Sequence, residues 1–308
     1  MRINFRVLFF RYQRKDQTRK FPHMRQLPSF PTLRSFLDWC AAREQFLRIA
    51  DPVSTRHQMT AVHRQVLEAG GPVLRFDHPL LPDGSRAEMP VITNLFGTPE
   101  RVAAGLGVPL EGLEELGAFL AALKSPSPPE GMRDALSRWP MLKTALAARP
   151  KLVKSAPVQE EVLQGSDLDL TRVPVQTHWP GDAGPLLTWP VVVTRPHGTA
   201  QEDVNRYNAG IYRIQVLDQN RAIMRWLPHR GGAAHHRSWT QAAEKTPVAI
   251  VLGADPATLL SSALPLPESH SELTFAGALN GMRTRLVAAN SGPALPTSLH
   301  SVLCSARH

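Results

Sequence analysis

Cysteine is scarce in this chain: Cys40 and Cys304 are the only two in 308 residues and lie far apart, with no second Cys near either. That excludes a disulfide-stapled scaffold and a zinc-ribbon type of centre, and reads as two free thiols in a reducing, cytoplasmic setting. Aromatic residues make up 6%, with three tyrosines. No apolar run approaches the roughly 20 residues that a membrane-spanning helix needs. Internal repeats and low-complexity tracts are missing as well. Acidic residues are lacking at one end: residues 1–23 hold seven Lys/Arg against one acid, Asp16, which accounts for +6 of the net +9. The body of the chain is therefore only mildly basic, carries no DNA- or RNA-binding motif, and gives no reason to expect a nucleic-acid partner. The leader is Arg-rich with an apolar Val7-Leu8-Phe9-Phe10 patch, as in a transit peptide or a membrane-surface arm. It contains no serine, which favours a third reading, translated upstream sequence with the natural start at Met24.

What is present describes a folded protein. Hydrophobic residues are 43% and charged residues 20% of the chain, and 28 prolines favour short strands and many loops over a helical bundle. Helical spacing of apolar residues predicts helices over 32–49 (capped by Thr32), 55–69 (ended by Gly70-Gly71), 98–106, 110–123 and 133–148. Residues 72–76 and 89–93 read as strands joined by the Pro-Asp-Gly-Ser turn at 82–85. Residues 125–129, with three prolines in five, form a connector. From Leu152 onward short β-type runs dominate, at 187–194, 210–217, 222–227, 248–252 and 284–288. The expected class is α+β: an α/β unit over 24–124, then a split-barrel-like β unit over 125–297, with 1–23 and 298–308 outside the fold.

The chemistry concentrates in 208–232. Gly210 within a strand marks a bulge or a close approach of ligand to backbone. Asn208 offers a carbonyl oxygen suited to a hard cation or to orienting a phosphate, with a plain turn residue as the alternative. Arg213 is a natural clamp for a carboxylate or phosphate, or else a surface ion-pair partner. Arg225-Trp226-Leu227 and His229-Arg230-Gly231-Gly232 follow, the glycine pair freeing backbone N–H groups to face an anion. His229 is able to bind a metal through a neutral ring nitrogen, and Glu272 to complete an Asn/His/Glu set. Singly each residue reads as ordinary; as a set they point to a phosphorylated cofactor held with a metal.

These stretches resemble the UbiD family of prenylated-FMN-dependent aromatic acid decarboxylases, the family of 3-polyprenyl-4-hydroxybenzoate carboxy-lyase of ubiquinone synthesis. The resemblance runs through Leu-Arg-Ser-Phe-Leu (33–37), Ala-Gly-Gly-Pro (69–72), Val-Ile-Thr-Asn-Leu-Phe-Gly-Thr (91–98) and Arg-Val-Pro-Val (172–175). It continues in His-Trp-Pro-Gly-Asp-Ala-Gly (178–184), Leu-Thr-Trp (187–189), the 208–232 block, Gly-Ala-Asp-Pro-Ala-Thr (253–258) and Glu-Leu-Thr-Phe-Ala-Gly (272–277). It implies Asn208, His229 and Glu272 as ligands of Mn2+ or another divalent cation, with K+ as an optional further ion. It implies Ile211, Tyr212, Arg213, Arg225, Trp226, Leu227, Arg230 and Gly231 as contacts of prenylated FMN, and Arg213 as the catalytic arginine beside the substrate carboxylate. Expected partners are an aromatic acid, a flavin prenyltransferase as cofactor supplier, further copies in a homo-oligomer, and a membrane surface met peripherally through a lipid-tailed substrate.

After Pro296 the sequence departs from the family, which continues through an acidic residue and Ile-Val-Leu-Glu-Gly towards its catalytic carboxylates. Here it reads Thr-Ser-Leu-His-Ser-Val-Leu-Cys-Ser-Ala-Arg-His. The expectation is a family member cut short before its C-terminal domain, with cofactor residues retained, the general acid absent and little activity alone. Two other readings stay open: a non-catalytic flavin-phosphate binding module completed by a separate partner, and a surface binder driven by the basic leader.

Overall fold

A computed structural model of the protein describes residues 30–124, 148–266, 270–288, 296–298 and 302–307. The leader, the connector at 125–129 and all but the last residue of the helix expected at 133–148 lie outside the described residues.

Thr32 caps α1 (Leu33–Ala41) as its sequence position predicts: its hydroxyl accepts from Ser35 N at 3.1 Å, and Ser35 answers by accepting from Thr32 N at 3.2 Å. The helix does not run on to residue 49. Cys40 O accepts from both Arg43 N and Gln45 N, Glu44 takes a positive φ of 58°, and Phe46–Ile49 becomes strand β1. Four residues with mixed apolar and charged character fit either period, and the parallel ladder to β3 (Val73–Phe76) decides between them. The second helix, α2 (Gln58–Glu68), starts three residues later than its periodicity suggests. Val53–Ser54 (β2) pairs instead with Pro79–Leu80 (β4), and Thr55 bonds both Leu80 and Thr177. The strand at Val91–Thr93 (β5) lies antiparallel to β3, and α3 (Pro99–Leu106) and α4 (Gly112–Lys124) follow. Thr98 caps α3, and Gly107 closes it in the left-handed conformation.

Arg101 on α3 is 1% exposed and bonds only neutral oxygens among the described residues: the carbonyls of Leu95, Gly71 and Asn94 and the side chain of Gln45. It gathers the loop around Asn94–Gly97 onto the β1–β3–β5 sheet and so places Phe96. That ring packs on Phe36 at 5.8 Å and on Trp189 of the following unit at 5.7 Å.

The second part is built from β6 (Lys151–Val153), β7 (Leu186–Leu187), β8 (Val191–Thr194), β9 (Asn208–Ile211), β10 (Ile214–Val216), β11 (Ala222–Met224), β12 (Pro247–Leu252), β13 (Arg285–Ala288), β14 (Pro296–Ser298) and β15 (Val302–Arg307). Among the described residues three α-helices are interspersed: α5 (Gly231–Gln241), α6 (Pro256–Ser261) and α7 (Glu272–Asn280). The strands form sheets ordered β15-β12-β8-β9, β11-β10-β7 and β14-β13-β6. The last strand falls within the segment expected to lie outside the fold; it pairs antiparallel with β12 from Pro247↔Arg307 to Leu252↔Val302.

The β-runs expected at 187–194 and 210–217 are each two strands in different sheets. Pairing Leu187↔Ile214 and Val191↔Ile211 leaves three residues, Thr188-Trp189-Pro190, opposite two, Tyr212-Arg213. The pairing breaks over these residues, and both segments pass there from one sheet to the other, in keeping with a split-barrel-like arrangement. The β8–β12 centre is buried on both faces. Val191, Val193, Ala249 and Val251 face Leu273 and Leu286, while Val192, Val248 and Ile250 face Tyr212 and Ile214. A further core joins the two parts, with Leu106 of α3 packed among Leu260 of α6 and Phe275 and Leu279 of α7.

Candidate functional site

The site forms where edge strand β9 meets the first turns of α5 and α7. As an edge strand β9 turns N–H groups outward, and Glu272, the first residue of α7, takes one of them: Ala209 N donates to its Oε2 at 3.1 Å. Sixty-three residues separate the two in sequence. Burial raises the Glu272 carboxyl to about 7, against the pull of the Ala209 N–H, its own N–H and the nearby Arg230 guanidinium. A cation or further donors arriving at such a carboxyl would favour its charged form.

Asn208 stands at the start of β9. Its side-chain nitrogen is buried and has no hydrogen-bond partner among the described residues; it lies beside the Tyr212 hydroxyl without a bond of normal geometry. Its amide oxygen sits against Gly231, where an added Cβ would stand 2.3 Å away. Gly232 N donates to Tyr212 Oη at 2.8 Å, and an added Cβ at Gly232 would meet that hydroxyl at 2.6 Å and the Trp226 ring at 2.8 Å. The two glycines thus let the α5 N-terminus close directly onto Asn208 and Tyr212. Burial raises the pKa of Tyr212, opposed by the Gly232 N–H, the Asn208 amide and Arg230, with Glu272 adding to the rise. Trp226 packs edge-on to Tyr212 (5.1 Å) and stacks on His236 (5.4 Å, 12°).

Three exposed arginines flank the Tyr212 and Trp226 segments in the chain. Arg225 N donates to Arg213 O at 3.1 Å, which extends the Ile214↔Met224 pairing by one step and sets the two arginines directly opposite each other. Both are exposed, and neither side chain hydrogen-bonds or ion-pairs with another described residue. Like charges in directly opposed positions are destabilising unless an anion lies between them. Arg230, also exposed, adds a third positive charge beside Glu272 and Tyr212.

The structure therefore brings Asn208, Tyr212, Trp226, Arg230, Gly231 and Glu272 together, with Ile211 and Leu227 half-buried at the margins. It does not bring in His229, which is exposed in the turn before α5 and has no contact with Asn208 or Glu272. An orphaned buried amide, a glycine gap lying on its oxygen and a carboxyl held near neutrality are what an externally completed site leaves behind. The donor set of amide oxygen and carboxylate suits a hard divalent cation, and the unpaired arginines with the α5 N-terminus suit a phosphate.

Sequence reasoning missed the layer beneath. His235 Nδ1 lies 2.9 Å from Thr194 Oγ1, and Trp239 Nε1 donates to Arg195 O at 2.7 Å. His236 Nδ1 lies 2.9 Å from Thr246 Oγ1. The available signal was the spacing 231, 235, 239, which marks one face of a helix. Burial lowers the His235 pKa to about 4, with Arg206 reinforcing and Thr194 opposing the shift. The unfolded chain binds this proton near pH 6.5 and the folded chain only near 4, so His235 erodes stability as pH falls through that window. A urea-unfolding series from pH 7 to 4 should show a progressive loss bounded at about 3 kcal/mol from this group. His235→Asn should flatten that part of the slope; an unchanged slope would contradict the burial of a neutral ring.

Comparison with known proteins agrees with this architecture. Residues 37–120 match the 3-octaprenyl-4-hydroxybenzoate carboxy-lyase N-terminal domain, and residues 151–304, half of the chain, match the Rift-related domain of the same carboxy-lyase. The chain belongs to the UbiD family. Among solved structures it is similar to the UbiD-class enzyme HmfF from Pelotomaculum thermopropionicum in complex with FMN, with 26% identity and a TM-score of 0.71 over 90% of this chain and 54% of that one. An evolved dimeric form of HmfF in complex with prFMN aligns with 25% identity and a TM-score of 0.69, over 88% and 56% of the two chains. Vanillic acid decarboxylase from Sedimentibacter hydroxybenzoicus shares the fold at 20% identity and a TM-score of 0.71, over 90% and 61%. The chain thus spans little more than half the length of the enzymes it matches. No described helix is long and apolar enough to cross a membrane.

Proposed function

We propose that this chain supplies the flavin- and cation-binding half of a non-oxidative aromatic acid decarboxylase, holding prenylated FMN and a divalent cation such as Mn2+. The observation that carries the reading is the meeting of Asn208, Glu272 and the α5 N-terminus, and the unpaired, directly opposed Arg213–Arg225 pair supports it. When bound, the prenylated flavin supplies the electron sink for loss of carbon dioxide. The residues of this chain orient and balance charge. Asn208 and Glu272 offer oxygen ligands to the cation, and His229 turns in from its exposed loop to join them. Arg225, Arg230 and the Gly231–Gly232 backbone face the phosphate. Tyr212 and Trp226 form the wall behind it, and Arg213 holds the substrate carboxylate at the rim. The substrate is a 4-hydroxybenzoate carrying a 3-polyprenyl tail, converted to the polyprenylphenol as in ubiquinone synthesis, with the tail reaching a membrane surface.

Titration with FMN and Mn2+ followed by flavin fluorescence tests the binding half of this reading. Release of CO2 from 3-prenylated and unprenylated 4-hydroxybenzoates, by chain loaded with prenylated FMN, tests the chemistry. Flavin binding without CO2 release favours the second reading, a binding module completed by another chain.

A further inference from the structure

The α5 helix is fixed to the sheet by a row of polar contacts on one face. Gly232 N bonds Tyr212 Oη, His235 Nδ1 bonds Thr194 Oγ1 one turn on, and Trp239 Nε1 bonds Arg195 O a turn beyond that. Thr194 is fully buried and is paired directly with Asn208 across the β8–β9 ladder, so the two side chains stand next to each other on one sheet face. Gly231, four residues before His235, is the residue that meets the Asn208 amide oxygen. The helix is thereby held to both members of the same cross-strand pair, through Gly231 to Asn208 and through His235 to Thr194. Neither the metal-ligand set nor the cofactor-contact set implied by the family resemblance includes Thr194 or His235.

We propose that the Thr194–His235 hydrogen bond is a positioning element, setting the height and rotation of the first turn of α5 above Asn208. A buried hydroxyl and a half-buried imidazole satisfy each other only at one helix position, so the bond converts a sliding apolar contact into a fixed distance. The consequence for ligand binding rests on the proposed function: the same fixed turn presents its N–H groups to the cofactor phosphate and keeps the Asn208 oxygen aimed at the cation.

The test uses the full chain with Thr194→Val, which keeps the β-branched shape in the strand; His235→Leu; and His235→Asn, whose amide reproduces the Nδ1 contact. Native-state hydrogen exchange at Gly232 and Ala233 is read against the β12 amides of Ala249–Val251 as an internal control. Roughly tenfold faster exchange at the two helix amides is expected in Thr194→Val and His235→Leu, with β12 unchanged and His235→Asn restored. FMN affinity should weaken by roughly tenfold in the first two variants and recover in the third. Unchanged helix exchange in both deletions, or equal acceleration in β12, overturns the positioning role. Failure of the unmodified chain to bind FMN overturns the proposed function instead, and the exchange result still decides the role of the pair.

Discussion

Gly231→Ala is expected to weaken binding of FMN with Mn2+ by roughly 10- to 100-fold while leaving the unfolding free energy within about 1 kcal/mol of the unmodified chain. Residue 231 is the first of α5, where alanine is a better helix former than glycine, so the backbone itself has no reason to object. The conflict lies elsewhere: the new Cβ would stand 2.3 Å from Asn208 Oδ1. That oxygen is the end of a side chain that is free to swing away, so the substitution turns Asn208 aside without dismantling the fold. A fluorescence titration of the variant beside Asn208→Ala and the double variant checks the cause. If Gly231 acts through Asn208, the double variant binds no more weakly than Asn208→Ala alone. Full additivity would mean that Gly231 touches the ligand directly.

Gly277→Ala is expected to cost about 2–4 kcal/mol of stability, although it too places alanine in a helix. Here the added Cβ would meet backbone: Ala148 O at 2.7 Å, Met282 O at 2.9 Å and Thr284 N at 3.2 Å. None of these swings aside, so α7 as a whole must move. Because Glu272 begins α7 and reaches β9 from there, the shift carries the carboxylate away from Ala209 and Asn208. Gly117→Ala in α4, where an added Cβ meets nothing within 4 Å, is the control and should stabilise by about 0.5–1 kcal/mol. Urea unfolding of the two variants separates the predictions; equal and opposite-to-expected shifts would show that the packing around α7 has been misjudged.

Local chemistry made some helix starts legible in sequence: Thr32 caps α1, and the helix expected from Thr98 begins there. Asp255 caps α6, a helix the sequence reading did not include. Where two periods fitted the same few residues, tertiary pairing decided, as at Phe46–Ile49. The break at Thr188-Trp189-Pro190 was invisible because it is a mismatch between two strands, and neither strand carries it alone. The 208–232 residues were readable as a set through the family resemblance, and Asn208, Tyr212, Trp226, Arg230 and Gly231 lie near one another in the fold. What spacing did not give is the bond from Ala209 to Glu272, which depends on β9 being an edge strand. The Thr194–His235 contact was hidden for a similar reason: a buried threonine in a strand of valines reads as core until its partner helix is placed.

The central claim is that Asn208 and Glu272 share a cation beside a flavin phosphate. An anomalous-scattering map from crystals of the chain grown with Mn2+ and FMN addresses it most directly. The account predicts one strong peak at about 2.0–2.6 Å from Asn208 Oδ1 and a Glu272 carboxylate oxygen. His229 should be drawn in as a third ligand, with the phosphate against the first turn of α5. A peak elsewhere, or a flavin bound away from the Arg213–Arg225 pair, would contradict it.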